Sequence, residues 1–243
     1  MRRLTPSLIA ALLLLVAPSI TPALLAAAEV TYLVRPVEIK REGSDQWEVL
    51  NLGDEVRAGD TIRTGFGARV EVTISKKRVF RIGQVTEIEL PELRDDEKSG
   101  IRAKFNLLLG RFWAGLIRPI RDLERERFEV ATTTAVVGVK GTQFGVDYDK
   151  VTKESQVLVI DGQVAVAPPP EEVRAPVEIA GPREVAPPQE ISRAKWLVLV
   201  SRDQKVIIRP DEVPQVEPLT DEDKADPWVV FNLERDQILP QAP

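Results

Sequence analysis

Residues 128–148 read FEVATTTAVVGVKGTQFGVDY, a run of mostly β-branched and apolar residues broken by Gly138, Gly141 and Gly145. Two readings compete for these glycines. A phosphate-gripping loop has the order Gly-x-x-x-x-Gly-Lys-Ser/Thr and opens directly into a helix, so that backbone N–H groups and a helix end face the anion. Here the order is Gly138-Val139-Lys140-Gly141-Thr142, and the following residues, Phe144 to Tyr148, alternate as a strand does. Motif and helix are both missing. Glycine in strand-forming sequence marks a bulge, a tight bend or a close backbone approach, which suits corners in a sheet that keeps turning.

The same texture extends outward. VTYLVRPVEIK opens as strand, and LGDEVRAGDTIRTGFG then places Gly-Asp at 53–54 and 59–60 with Gly65 and Gly67 close behind, so turns fall every few residues. Val70, Val72 and Ile74 alternate with Arg69, Glu71 and Thr73, and Ile88 and Leu90 with Glu87 and Glu89. That period of two predicts strands with one buried and one wet face. Further strands are expected at 101–109, 112–117, 128–134, 143–148 and 156–160. Asp161-Gly162 is a hairpin signal leading into QVAVA. Many short strands with little helix predict an all-β domain over about 29–167, for which periodicity leaves sandwich, barrel and solenoid open.

At Ala167 the composition changes. Seven prolines between 168 and 188, mixed with Glu and Ala, cannot donate to a sheet and favour extended chain, so 168–190 is read as a Pro-rich linker, or a strap laid over the domain. Within the C-terminal segment 191–243, Trp196–Val200 and Lys205–Arg209 read as two more strands. Asp226-Pro227 then starts a short amphipathic helix carrying Trp228 and Phe231 on one face.

The other end of the chain addresses it. Arg2-Arg3, the apolar run Leu8–Ala17 and Ala26-Ala27-Ala28 before Glu29 follow the order of a secretory signal peptide, so residues 1–28 are expected to direct export, with cleavage after Ala28 and a periplasmic or secreted product. Pro18, Ser19, Thr21 and Pro22 break the apolar run before it reaches the length of a spanning helix, so the membrane is met through the signal segment alone if that segment stays uncleaved. The 243 residues include no cysteine and no histidine. Disulfides, ordinary zinc sites and imidazole general bases are thereby excluded. A net charge of −5 disfavours nucleic acid, because phosphate contacts need clustered cations.

GDEVRAGDTIRTGFGARVEVTI, FRIGQVTEIEL, LLLGRFWAGL, FEVATTTAVVGVKGTQFGVDY and SQVLVIDGQVAV follow one another over about residues 50–166, and in that order they resemble the successive blocks of a FecR-like domain. The Val137–Phe144 block is the most specific, with Gly138, Gly141, Thr142 and Phe144 as its structural turn motif. Thr133, Lys140 and Gln143 replace the proline, arginine and glutamate usual there, and SKKR at 75–78 replaces an Asp-Gly turn. The resemblance implies a short-stranded, twisted, β-solenoid-like envelope domain with no catalytic residue and no cofactor. Regulatory members of that family carry a cytoplasmic anti-sigma segment ahead of a membrane helix. Met1–Ser7 is too short for one, so that role is not expected to come with the fold.

Asp147 and Asp149 share a strand face like an acid pair, but Val151 and Thr152 stand where an EF-hand calcium loop needs Asp or Asn and Gly, so a solvated strand end is expected instead of a catalytic or metal site. Arg111, Arg118, Arg121, Arg125 and Arg127 form a basic cluster diluted by interleaved acids. Of the four tryptophans, Trp113 is expected in the core and Trp228 on the surface. The sequence thus predicts a non-enzymatic exported protein acting through an envelope protein partner as an interaction, scaffold or signalling module. The alternative is a carbohydrate or cell-wall-binding module, and Trp228, Arg118 and Arg121 are the candidate binding residues.

Overall fold

The computed structural model describes residues 28–74, 78–96, 100–116, 127–139, 142–170, 197–210 and 212–238. β1 (Ala28–Val34) and β2 (Val37–Lys40) flank the cis Arg35–Pro36 peptide. β3 (Trp47–Val49), β4 (Glu55–Val56) and β5 (Thr61–Thr64) are short because turns at Gly43, Gly53 and Gly59 redirect the chain every few residues. β6 (Arg69–Ile74), β7 (Arg78–Ile82), β8 (Thr86–Asp96) and the long β9 (Gly100–Leu116) follow. Next come β10 (Arg127–Ala131), β11 (Val136–Val139), β12 (Gln143–Asp149), β13 (Glu154–Asp161) and β14 (Gln163–Ala167). β15 (Val198–Ser201), β16 (Gln204–Ile208), β17 (Gln215–Pro218), α1 (Asp221–Ala225) and α2 (Pro227–Ile238) complete the described chain.

The all-β expectation is met, in the form of two ladders stacked around one core. Sheet A runs β4-β1-β6-β7-β9-β12-β13-β16-β17. Sheet B runs β3-β2-β5-β8-β9-β10-β11-β14-β15. β9 belongs to both, pairing with β8 and β10 through its first half and with β7 and β12 through its second. Described neighbours are antiparallel except β9–β10. The solenoid detail rests on coils stacked in parallel, and parallel pairing occurs at that one junction.

β9 crosses between the sheets at Gly110, where φ is +98° and a Cβ would lie 2.6 Å from the Cα of Thr86. Only glycine combines that backbone with that approach. The two strands expected at 101–109 and 112–117 are therefore one strand bent at a corner. Between the sheets Phe105 and Phe128 of sheet B meet Phe80, Phe112 and Phe144 of sheet A, with Phe80–Phe105 centroids at 4.8 Å and Phe105–Phe128 at 5.1 Å. Burial of these rings, with the Val, Ile and Leu side chains of the same core, holds the layers together.

Asp161-Gly162 is not a hairpin: β13 lies in sheet A and β14 in sheet B, so the positive φ of Gly162 sends the chain across the core instead of back along its partner. The C-terminal strands extend the same ladders, β15 pairing with β14 and β16 with β13. The helix predicted after Asp226 is present as α2, its first N–H groups capped by Asp226 Oδ1, and it packs back on the outer face of sheet A. Ala28, the expected last residue of the signal, is fully buried at the start of β1. Most of the Pro-rich linker lies outside the described residues.

Candidate functional site

Each sheet has an outer face, and the two differ. On sheet A one register row runs Glu71–Arg81–Trp113–Gly145–Leu158–Lys205 across six strands. α2 lies over it, burying Trp113, Leu158, Trp228 and Val229 as a second apolar cluster. Gly145 has no side chain because the Trp113 ring occupies its place, 3.1 Å from where a Cβ would stand. Glu71 breaks the expected wet face of β6: it is 1% exposed and accepts from Arg81 Nε at 2.7 Å and from Arg235 Nε at 3.1 Å. Arg81, fully buried, also meets Asp236 of α2 at 2.6 Å, and the Trp113 indole N–H donates to the same carboxylate at 3.1 Å. Burial pushes the Glu71 carboxyl up, and the hydrogen bonds from Arg235 and Arg81 outweigh it, so the group is held below its ordinary value.

This closed face overturns one candidate. Trp228 is 5% exposed, stacked on Phe231 and packed against Gly83 under α2, so it offers no ring to a sugar. The proline and acids around it read as surface, yet they cap and start the helix whose apolar side it anchors. Trp113 is fully buried as expected, and Trp47 lies beneath the Arg63 guanidinium, 4.0 Å from its ring centroid. Arg118, Arg121, Arg125, Gly141 and Trp196 lie outside the described residues. Of the remaining basic cluster, Arg111 spans Asp147 at 2.7 Å and Asp226 at 3.0 Å, while Arg127 is exposed. Burial works against the Arg111 charge, and the two carboxylates raise its pKa in spite of it. Asp149 closes its own turn, accepting from the backbone N–H of Val151 at 2.7 Å and Thr152 at 3.2 Å. Asp147 and Asp149 thus have separate partners and form no acid pair.

Among the described residues nothing covers the outer face of sheet B. Its outer row runs Lys104–Glu129–Gly138–Ala165–Leu199. It begins in the Lys104–Glu129 ion pair, crosses two strands with no side chain or a methyl, and ends on an exposed leucine at the rim. The result is a trough of about 570 Å³ lined by Arg127, Glu129, Gly138, Gln163, Ala165 and Leu199. Gly138 is the floor of this trough and not a corner: it lies in mid-β11, and a Cβ there would have nothing nearer than the Ala165 carbonyl oxygen at 3.9 Å. Thr142 is buried and donates to the Gln163 carbonyl, and Phe144 is in the core.

The rim is β15, an edge strand of sequence VLVS with neither charge nor proline. Val200 points into the core, while Leu199 is 55% exposed and the preceding Leu197 68%. The other three edges among the described strands are guarded: β3 carries Glu48, β4 is two residues long with Glu55, and β17 carries Glu217 and Pro218. Short length, charge and proline are the usual means of discouraging strand addition, and β15 retains only the first. Sequence reasoning left this edge unremarked because nothing local says which strand of a ladder is last.

The chain is thus an all-β two-layer domain with one covered face and, among the described residues, one open sheet edge. Residues 60–165 match the family described as FecR protein, and the chain carries a FecR-like domain. A search of curated proteins finds no match. Two crystal structures, each described as a "putative anti-sigma factor" from Parabacteroides distasonis ATCC 8503, resemble the chain at 17% identity. The 2.50 Å structure has a TM-score of 0.44, with 65% of this chain covered and 59% of that one. The 1.65 Å structure has a TM-score of 0.48, with 73% and 74% covered. The chain therefore spans about three-fifths of the length of the first.

Proposed function

We propose that this protein is an exported, non-enzymatic module that binds another protein through the β15 end of sheet B, in a signalling or scaffold role in the cell envelope. The observation that carries the reading is the unguarded edge: an uncharged strand with exposed Leu197 and Leu199, beside a trough floored by Gly138 and Ala165. An extended segment added there gains main-chain hydrogen bonds from the open edge and apolar contact from the two leucines. The FecR-like domain supports a binding role, since its resemblance brings no catalytic residue. Export rests on the charged, apolar and small-residue order of residues 1–28.

The test places a photocrosslinkable side chain at Leu197 of the full chain in its own envelope, with and without Leu199→Lys. A discrete protein adduct that Leu199→Lys removes is the expected result. No adduct, or sedimentation with isolated sacculi that survives moderate salt, overturns the proposal, the latter in favour of wall binding.

A further inference from the structure

We infer that the segment taken up by β15 is β15 of a second copy of this chain, paired antiparallel about a two-fold axis so that each sheet B continues into the other. This rests on the binding reading above and names its partner. A strand added at this edge must satisfy three requirements at once. It must be uncharged, because Val198, Leu199 and Val200 offer nothing to neutralise a charge placed opposite them. Its inward side chains must be apolar, because they extend a core in which Val200 is fully buried and Val198 partly so. Its outward side chains must be apolar too, because they meet Leu199 at 55% and Leu197 at 68% exposure.

β15 itself meets all three. It is extended, uncharged and β-branched on the side facing the core, with leucine on the side facing out. The other described edges fail: β3 and β4 place a glutamate in the strand, and β17 a glutamate and a proline. Antiparallel pairing of a strand with its own copy is isologous, so the same short patch serves both subunits and the assembly closes at two. The pairing also removes the one edge left unguarded among the described residues. Leu199 of the two copies then meet across the axis on the outer face, between the two troughs.

Sedimentation equilibrium of the purified protein, from micromolar to near-millimolar concentration, reads the assembly directly. The expected result is a monomer–dimer equilibrium for the wild type, with the dimer Kd raised about tenfold or more by Leu199→Lys, which removes leucine burial and opposes two like charges. Thermal melting of the monomer is unchanged because the side chain is exposed. Because the chain has no cysteine of its own, Leu199→Cys gives a clean second readout: mild oxidation yields a covalent dimer. A wild type that stays monomeric throughout, or a dimer that Leu199→Lys leaves intact and Leu199→Cys fails to trap, overturns the second-copy assignment. If the wild type is monomeric while Leu197 in the envelope still crosslinks to a different protein, the binding reading stands and this one falls. If neither is seen, both fall.

Discussion

Three glycines with similar sequence settings do three different jobs. Gly110 turns β9 from one sheet to the other at φ +98° with the Thr86 backbone against it. Gly110→Ala is expected to cost about 1–3 kcal/mol from the positive φ, and more from the clash, read as a lowered denaturation midpoint. Gly145 makes room for Trp113 beneath α2. Gly138 has open space above it and ordinary strand geometry, so Gly138→Val is expected to leave stability within about 0.5 kcal/mol of wild type or raise it, by β propensity and reduced unfolded-state entropy. A large loss at Gly138 in urea unfolding would show that the trough is structural and not merely vacant. No feature of FEVATTTAVVGVKGTQFGVDY separates Gly138 from Gly145, because what distinguishes them is the layer facing each: solvent on one sheet, a tryptophan and a helix on the other.

At the scale of the element, α2 is held by a buried ionic knot as well as by its apolar side. Arg81→Met leaves Glu71 with Arg235 as its remaining cation and deprives the partly buried Asp236 of its ion-pair partner, and is expected to cost about 3 kcal/mol in chemical denaturation. Pairing it with Glu71→Leu and Asp236→Leu should recover part of that loss, since no carboxylate is then left facing the missing cation, while Arg235 and the Trp113 N–H lose their acceptors. The knot also has a pH dependence. Glu71 has its folded pKa below the ordinary 4.5, so its contribution is fully present above that value and is lost as pH falls through the lower, folded one. Tryptophan fluorescence from Trp113 and Trp228 is expected to report loosening of α2 in that acid range and none between pH 5 and 8. Glu71→Gln should weaken that acid dependence, leaving the share of other carboxylates held below their ordinary range, such as Asp223. The alternation Arg69–Ile74 correctly marks β6 as a strand with an inward face of Val70, Val72 and Ile74, but calls Glu71 wet because a covering helix some 160 residues later leaves no local trace.

For the whole molecule, the sheets differ in what closes them. Sheet A is covered by α2 and bounded by guarded edges, and sheet B ends in β15 beside an open trough. A two-fold pairing through β15 would join two sheet B ladders into one, and would leave α2 of both copies remote from the junction on the opposite layer. Arg81→Met and Leu199→Lys are accordingly expected to act independently, the first lowering stability with dimerisation retained, the second the reverse. Measuring both properties in the double variant checks it, with additive effects expected for sites in separate layers.

The sequence alone determined the class: period-two segments, turn glycines and the FecR-like blocks specify short strands in chain order, and the missing cysteine and histidine remove whole families of chemistry. Those are local or compositional properties, legible wherever a side chain's neighbours in sequence decide its state. Which strands share a sheet, that Asp161-Gly162 crosses the core, that Trp228 is buried, and that β15 is the unguarded end were decided by the tertiary structure. Each depends on what lies across a ladder or over a face, and burial and edge exposure are set by contacts between residues far apart in the chain, which no local pattern encodes.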